Sequence, residues 1–188
     1  MGEARHRKEN GGEVRISGGV FRGQKIKTPG GATHPMGERE RIALFNMIFD
    51  KIANGRVADL YCGGGTLGLE ALSRGADFVL FIDKDARATS VVKENLEKLG
   101  VCDGHSRVIR ADIASVAQDI AGDYDVVIAD PPYDKYSEEM VEFLPSFMSK
   151  DGILVLSHPG VAPEVDGLTL EKTRSYAGAN ISIYRKNS

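Results

Sequence analysis

The residues whose types and spacing best suit chemistry are Asp130-Pro131-Pro132-Tyr133. Each proline fixes φ and removes an N–H donor, so the carboxylate before them and the nearby carbonyls form a rigid rim that only accepts hydrogen bonds. An aromatic ring follows at once. Acceptors beside a planar ring suit a flipped-out nucleobase with an exocyclic amine, whose hydrogens the acceptors take while the ring stacks on its plane. The plainer alternative is a proline-stiffened loop capped by a surface tyrosine. Position favours the chemical reading, because Asp125-Val126-Val127-Ile128-Ala129 reads as a core strand leading straight into the loop.

A second cluster is Gly63-x-Gly65-x-x-Gly68, set between the apolar run Val57 to Tyr61, which includes Asp59, and a helical pattern of Leu67, Leu69, Ala71 and Leu72. Glycines there permit positive φ and a close ligand, and the helix start offers unpaired N–H groups. Alone, such a cluster also describes a tight turn. Asp83 sharpens it. This acid ends the apolar run Phe78 to Ile82 about 20 residues beyond the glycines, where a carboxylate can accept hydrogen bonds from both ribose hydroxyls. An adenosine-bearing ligand follows, with dinucleotides and S-adenosyl-L-methionine both open. Asp112, preceded by Ala111, lies past a third strand, Arg107 to Arg110. It can take the adenine amine, cap a helix running to Ile120, or do both.

The elements that must position these residues alternate. Helices are expected over Glu38–Ile52 (Ile42, Phe45, Ile48/Phe49 and Ile52 at helical spacing), over Ala86–Leu99 with Gly100 as C-cap, and over Glu138–Met148. A turn at Gly152 precedes a strand Ile153–Leu156, and Leu168–Arg174 with Asn180–Arg185 reads as an antiparallel closing pair around Tyr176-Ala177-Gly178. The α/β alternation from Val57 onward predicts a doubly wound, seven-stranded sheet with a C-terminal hairpin. Ahead of it, Val14–Ser17 and Gln24–Lys27 form a short hairpin joined by Gly18–Gly23, with apolar residues on one face and Arg or Lys on the other. Met1 to Gly12 is polar and aperiodic, and disorder is expected there. The division is a tail over 1–13, a basic hairpin and helix over 14–54, and the sheet domain over 55–188.

A chain of 188 residues suits one such domain with a small appendage. Cys62 and Cys102 are too few for a disulfide framework or a zinc site, the apolar runs are strand-length, and the first residues are no export signal. A reduced, cytoplasmic setting without membrane spans is expected. Net charge is −3, yet residues 1–41 hold nine Lys/Arg against five Asp/Glu, while the rest holds 15 against 22. The N-terminal fifth is either a polyanion-binding patch or a basic tail serving solubility. Arg39 and Arg41 sit near a helix start, where the dipole disfavours cations; an anionic partner or a solvated charged turn explains them.

Asp130-Pro131-Pro132-Tyr133, following Asp59 and Gly63-x-Gly65-x-x-Gly68, resembles the S-adenosyl-L-methionine-dependent amino methyltransferases. The string Asp59-Leu60-Tyr61-Cys62-Gly63-Gly64-Gly65-Thr66-Leu67-Gly68-Leu69-Glu70-Ala71-Leu72-Ser73-Arg74-Gly75-Ala76 is similar to the bacterial 16S ribosomal RNA guanine-N2 methyltransferase family, RsmD. So are Arg15 to Ile26 and the segment from Pro35 through Arg39-x-Arg41 to Leu44-Phe45-Asn46. The resemblance runs from about Val14 to the C-terminus. It implies a Rossmann-like methyltransferase sheet and S-adenosyl-L-methionine held by Asp59, Gly63, Gly65 and Asp83, with Ala111 and Asp112 at the adenine. It implies a target guanine held by Asp130, Pro131 and Tyr133, and 16S rRNA or the small subunit bound by Arg15, Arg22, Lys25, Arg39 and Arg41, with no metal. Met36-Gly37 stands where the family usually has a Thr pair, and Ile42 where it usually has Glu.

Three other activities share part of this pattern. A DNA adenine-N6 or cytosine-N4 methyltransferase has the proline loop but usually needs a further base-reading region. A nucleotide-dependent oxidoreductase explains the glycines and Asp83 and leaves the proline loop unexplained. A non-catalytic RNA-binding protein would carry a vestigial cofactor site.

Overall fold

A computed structural model describes residues 11–30, 36–120, 122–176 and 179–187. The expected tail up to residue 10, Pro35 and the turn residues Ala177 and Gly178 lie outside the described residues.

The N-terminal hairpin is β1 (Glu13–Arg15) paired antiparallel with β2 (Lys25–Lys27). Pairing begins one residue earlier than the sequence suggests, and Gly12 already exchanges hydrogen bonds with Thr28. Ile16 and Ile26 are buried while Arg15, Lys25 and Lys27 face out, as the alternation predicts. The expected helix over Glu38–Ile52 is two pieces, α1 (Glu38–Met47) and α2 (Phe49–Ile52), broken at Ile48. Its buried stripe is Arg41, Leu44, Phe45, Ile48 and Ile52, which leaves Ile42 and Phe49 exposed.

The remaining strands are β3 (Arg56–Leu60), β4 (Phe78–Asp83), β5 (Ser106–Arg110), β6 (Tyr124–Ala129), β7 (Met148–His158), β8 (Leu168–Tyr176) and β9 (Ala179–Lys186). They form one seven-stranded sheet in the order β5-β4-β3-β6-β7-β9-β8, with β9 antiparallel to both neighbours. Side chains alternate across it: Val57, Val126 and Ile128 join one apolar cluster, and Ala58, Val127 and Ala129 the other. The first cluster is covered by the hairpin, α1, α2, α3 (Thr66–Ser73) and α4 (Ala86–Leu99). The second lies under α5 (Ile113–Val116) and α6 (Leu144–Phe147). The order reverses between β3 and β6, and the carboxyl ends of these two strands flank the crevice where doubly wound sheets take ligands.

Three expectations are corrected. In place of one helix over Glu138–Met148 the chain makes 3₁₀ turns at Tyr133–Lys135 and Glu138–Val141, then α6. Pro145 explains this, since it lacks an N–H and is tolerated only in a first turn, where α6 places it. β7 then starts at Met148 and runs through Gly152 rather than turning there; a Cβ at Gly152 would lie 2.7 Å from the Tyr124 carbonyl, where the β6–β7 register slips. The helix after Asp112 also ends at Val116, short of Ile120.

Candidate active site and basic face

The carboxyl edge of the sheet carries polar groups on five adjacent strands: Asp112 after β5, Asp83 ending β4, Asp59 in β3, Asp130 after β6 and Ser157 in β7. The structure thus gathers the predicted cofactor and catalytic residues along one rim. Their roles differ. Asp59 is 1% exposed, and its Oδ2 accepts the Gly68 N–H at 2.8 Å, tying the end of β3 to α3. Burial pushes its carboxyl well above the usual carboxylate range; the Gly68 bond opposes this, and the charges of Asp130 and Asp83 add to it. Asp83 Oδ2 accepts the Gly63 N–H at 2.9 Å and its Oδ1 the Asp85 N–H at 2.9 Å, so the acid expected at the ribose also pins the glycine loop. Asp112 Oδ1 accepts the Ala114 N–H at 3.1 Å as the N-cap of α5, and Ala111 donates its N–H to the Asp83 carbonyl at 3.1 Å.

Packing alone requires glycine at three positions of the loop and the helix that follows. A Cβ at Gly64 would lie 2.9 Å from Pro29 Cδ, at Gly65 3.0 Å from Val92 Cγ2, and at Gly68 2.3 Å from Phe81 Cε1. Gly65 at φ +78° precedes the first turn of α3 in the left-handed region, and Gly63 lies at φ +52°. Tyr61 also lies there, at φ +58°, which is uncommon for a residue with a Cβ. Strict alternation would put it on the Asp59 side of the sheet; the left-handed backbone sends its ring to the opposite cluster. Burial, aided by Asp112, pushes its phenol up to about 12, so it stays a donor.

Asp130 sits beyond the last β6 pair, Ala129 with Leu156, level with Ser157. Burial raises its carboxyl above the ordinary value, and the Ser157 hydroxyl on the neighbouring strand offsets part of the rise. Pro131 is buried and Tyr133 partly so. The Tyr133 and Ser157 hydroxyls are 2.6 Å apart. No lysine or arginine is needed to explain this rim: an acceptor-rich edge with carboxylates on four strands fits a ligand carrying a cationic sulfur, ribose hydroxyls and an adenine amine.

The basic face is smaller than the sequence suggests. Arg15, Arg22, Lys25 and Arg39 are exposed; Arg15 Nη1 donates to the Gly23 carbonyl at 3.0 Å and Lys25 pairs with Glu13 at 3.0 Å. Arg41 is a correction. It is 2% exposed, Nη1 donates to the Met36 carbonyl at 2.6 Å, Nη2 to the Arg15 carbonyl at 2.8 Å, and Nε faces Glu70 Oε2 at 3.8 Å. It belongs to the buried stripe of α1, where its guanidinium braces the hairpin instead of meeting RNA.

Sequence reasoning passed over Glu70, Asn95 and Ser157. Glu70 is fully buried and takes Ser17 Oγ at 2.6 Å, Ser17 N at 2.9 Å and Arg74 Nε at 3.0 Å. Asn95 is also fully buried; it brackets Lys27 by donating to its carbonyl at 3.0 Å and accepting its N–H at 2.8 Å, and it donates to the Gly64 carbonyl at 3.1 Å. A readable signal existed for both: a lone acid in the apolar helix Thr66–Ser73, and an amide at helical spacing between Val92 and Leu99.

The chain matches the family described as conserved hypothetical protein 95 over residues 14–185. It is 30% identical over 184 residues to the rRNA methyltransferase candidate YlbH of Bacillus subtilis, covering 92% of this chain and 99% of that one. It is 33% identical over 123 residues to the ribosomal RNA small subunit methyltransferase D of Escherichia coli strain K12, covering 65% of this chain and 61% of that one. In three dimensions it is similar to the methyltransferase candidate YhhF from Escherichia coli, with a TM-score of 0.82, 26% identity, and coverage of 93% of this chain and 98% of that one.

Proposed function

We propose, from the premise that this chain belongs to the conserved hypothetical protein 95 family, the RsmD family, that it methylates the exocyclic N2 of a guanine in small-subunit ribosomal RNA. The observation that carries the reading is the placement of Asp130-Pro131-Pro132-Tyr133 across the switch point from the glycine loop, on the rim shared with Asp83 and Asp112. The cofactor is S-adenosyl-L-methionine, which when bound supplies an electrophilic methyl group on a sulfonium sulfur. Asp83 would hold the ribose hydroxyls with lone pairs left over from Gly63 and Asp85, Asp112 and Ala111 the adenine, and Asp59 acts from beneath by fixing Gly68.

A guanine N2 lone pair is delocalised into the ring and attacks poorly until the amine is held. Asp130 and the Pro131 carbonyl accept its two hydrogens and aim the lone pair into the crevice, while Tyr133 stacks on the base. Orientation supplies most of the rate, potentially ~7–11 kcal/mol for well-placed groups. The raised proton affinity of Asp130 suits it to take the proton the amine sheds as the new N–C bond forms. Arg15, Arg22, Lys25 and Arg39 supply phosphate contacts.

Asp130→Ala should abolish methyl transfer to 30S subunits or 16S rRNA while calorimetry still shows cofactor binding. Full turnover by that variant, or transfer by the wild-type protein to DNA and not to rRNA, would overturn the assignment.

A further inference from the structure

We propose that Lys172 and Arg174 form a second phosphate-binding strip for the rRNA substrate, on the far side of the proline loop from the N-terminal hairpin. The inference rests on the reading of the chain as an rRNA methyltransferase and adds to the cations assigned above. It starts from an irregularity in the edge strand β8. Leu168 and Leu170 pair with Lys186 and Tyr184, and Leu168 packs against the second apolar cluster. Glu171 is then skipped, so that Lys172 and Arg174 pair with Ile183 and Ile181, which belong to the first cluster. Tyr176, next in the alternation, packs against that first cluster too. One extra residue has thus turned the even-numbered side chains of β8 from one face of the sheet to the other.

The shifted register is held from inside. Thr173 Oγ1 lies 2.8 Å from the fully buried Ser182 Oγ, which is 2.9 Å from His158 Nε2. The skipped Glu171 pairs with Arg185, which leaves Lys172 and Arg174 exposed; among the described residues neither side chain has an ion-pair or hydrogen-bond partner. Without the bulge both cations would face the side where the 3₁₀ turns, packed on the second cluster through Tyr136 and Val141, expose Asp134 and Glu139. With it they share the face of the hairpin. The strip also lies at the right edge. β8 and β7 both run antiparallel to β9, so β8 ends on the carboxyl side of the sheet. Asp130 is level with Ser157, Ser157 pairs with Ile181, and Ile181 pairs with Arg174. Three strand steps of about 4.8 Å put the Arg174 backbone roughly 14 Å from that of Asp130. The hairpin is bonded to α3 and α4, over the β3, β4 and β5 half of the sheet. A base entering at the proline loop would therefore have cations on both flanks, and its strand could be held on either side of the flipped nucleotide.

The test is filter binding to 16S rRNA across salt for Lys172→Gln, Arg174→Gln, the double variant and Lys150→Gln, the last an exposed cation at the amino end of β7. Each of the first two should flatten the logarithmic salt slope by about 0.7, the share of one phosphate on a single strand, and the double variant by about 1.4. Calorimetric cofactor affinity should stay as in the wild type, and Lys150→Gln should leave the slope alone. Arg174→Gln combined with Ser175→Arg keeps the net charge but moves it to the opposite face, so it should bind as weakly as Arg174→Gln. Slopes unmoved in the Lys172 and Arg174 variants would overturn the strip. So would equal flattening by Lys150→Gln, or binding restored by Ser175→Arg, since net charge and not the face would then be at work. If the double variant fails to fold, the two single variants decide. A wild-type protein that neither binds nor methylates rRNA would instead end the functional reading, whatever the variants do.

Discussion

Replacing Glu70 by Gln should be the most damaging isosteric change in the N-terminal half. Glu70 is fully buried, with one oxygen receiving Ser17 Oγ at 2.6 Å and Arg74 Nε at 3.0 Å and the other receiving Ser17 N at 2.9 Å. Nearby Arg41 is 2% exposed and draws its compensating charge from this carboxylate at 3.8 Å. A glutamine keeps the shape and removes the charge, and whichever way its amide turns, an NH2 group faces a donor. Breaking one side of a buried pair costs about 3–5 kcal/mol, because the other charge stays inside without compensation. Against a total stability of about 5–15 kcal/mol this is a large fraction. At about 2–4 °C per kcal/mol for a chain of this size, the melting temperature should fall by roughly 6–20 °C. Differential scanning calorimetry and urea unfolding measure it, and limited proteolysis should cut residues 18–24 first, since Ser17 loses its anchor. A loss under about 1 kcal/mol would mean that water already screens Arg41 and Glu70 and that the burial argument is wrong.

Asp59→Asn keeps an acceptor for Gly68 and removes a charge whose protonation folding favours. Because the folded carboxyl sits above its unfolded value of about 3.9, wild-type stability declines as pH rises from there through the raised value. The variant's advantage in urea unfolding should therefore be absent at acid pH and grow towards neutrality; an advantage confined to low pH would reverse the sign. Gly68→Ala gains about 1 kcal/mol of helix propensity but sets a methyl 2.3 Å from Phe81 Cε1 on a fully buried ring, and overpacking at about 1–3 kcal/mol wins. Chemical denaturation showing a stabilised protein would refute that. Arg22→Glu, on an exposed side chain, should weaken rRNA binding and flatten its salt dependence with cofactor affinity intact; an unchanged slope in filter binding across salt would remove the hairpin from the RNA contact.

The chemistry-bearing edge was legible because it is written locally. The strand, glycine turn and helix from Arg56 to Ser73, the strand ending at Asp83 and the capped helix Ala86–Leu99 each follow from runs, glycines and caps within a few residues. What escaped depends on distant partners. Arg41 reads as a surface cation near a helix start, yet it lies three and four residues before Leu44 and Phe45 on the stripe that faces the core. Its burial is tolerable because Glu70 and the carbonyls of Met36 and Arg15 wait there. Ser157 reads as the polar end of an apolar strand, and only the loop that returns over it makes it part of the site. The helix expected over Glu138–Met148 does not form as one piece, because Pro145 is tolerated only in a first turn and α6 is a single turn.

Asn95 has the widest reach for the way the molecule is built. One amide group joins β2 to the glycine turn, while Glu70 and Ser73 grip the hairpin from the next helix, where Ser73 Oγ takes the Phe21 N–H at 2.9 Å and its carbonyl the Val20 N–H at 2.7 Å. The opening quarter is thus a keystone and not a detachable accessory. A protein trimmed to begin at Gly55 would leave Glu70 with Arg74 alone and Asn95 with the Gly64 carbonyl alone, on the very helices that border the nucleoside shelf, so catalysis is not cleanly dissected from substrate capture by cutting the chain there.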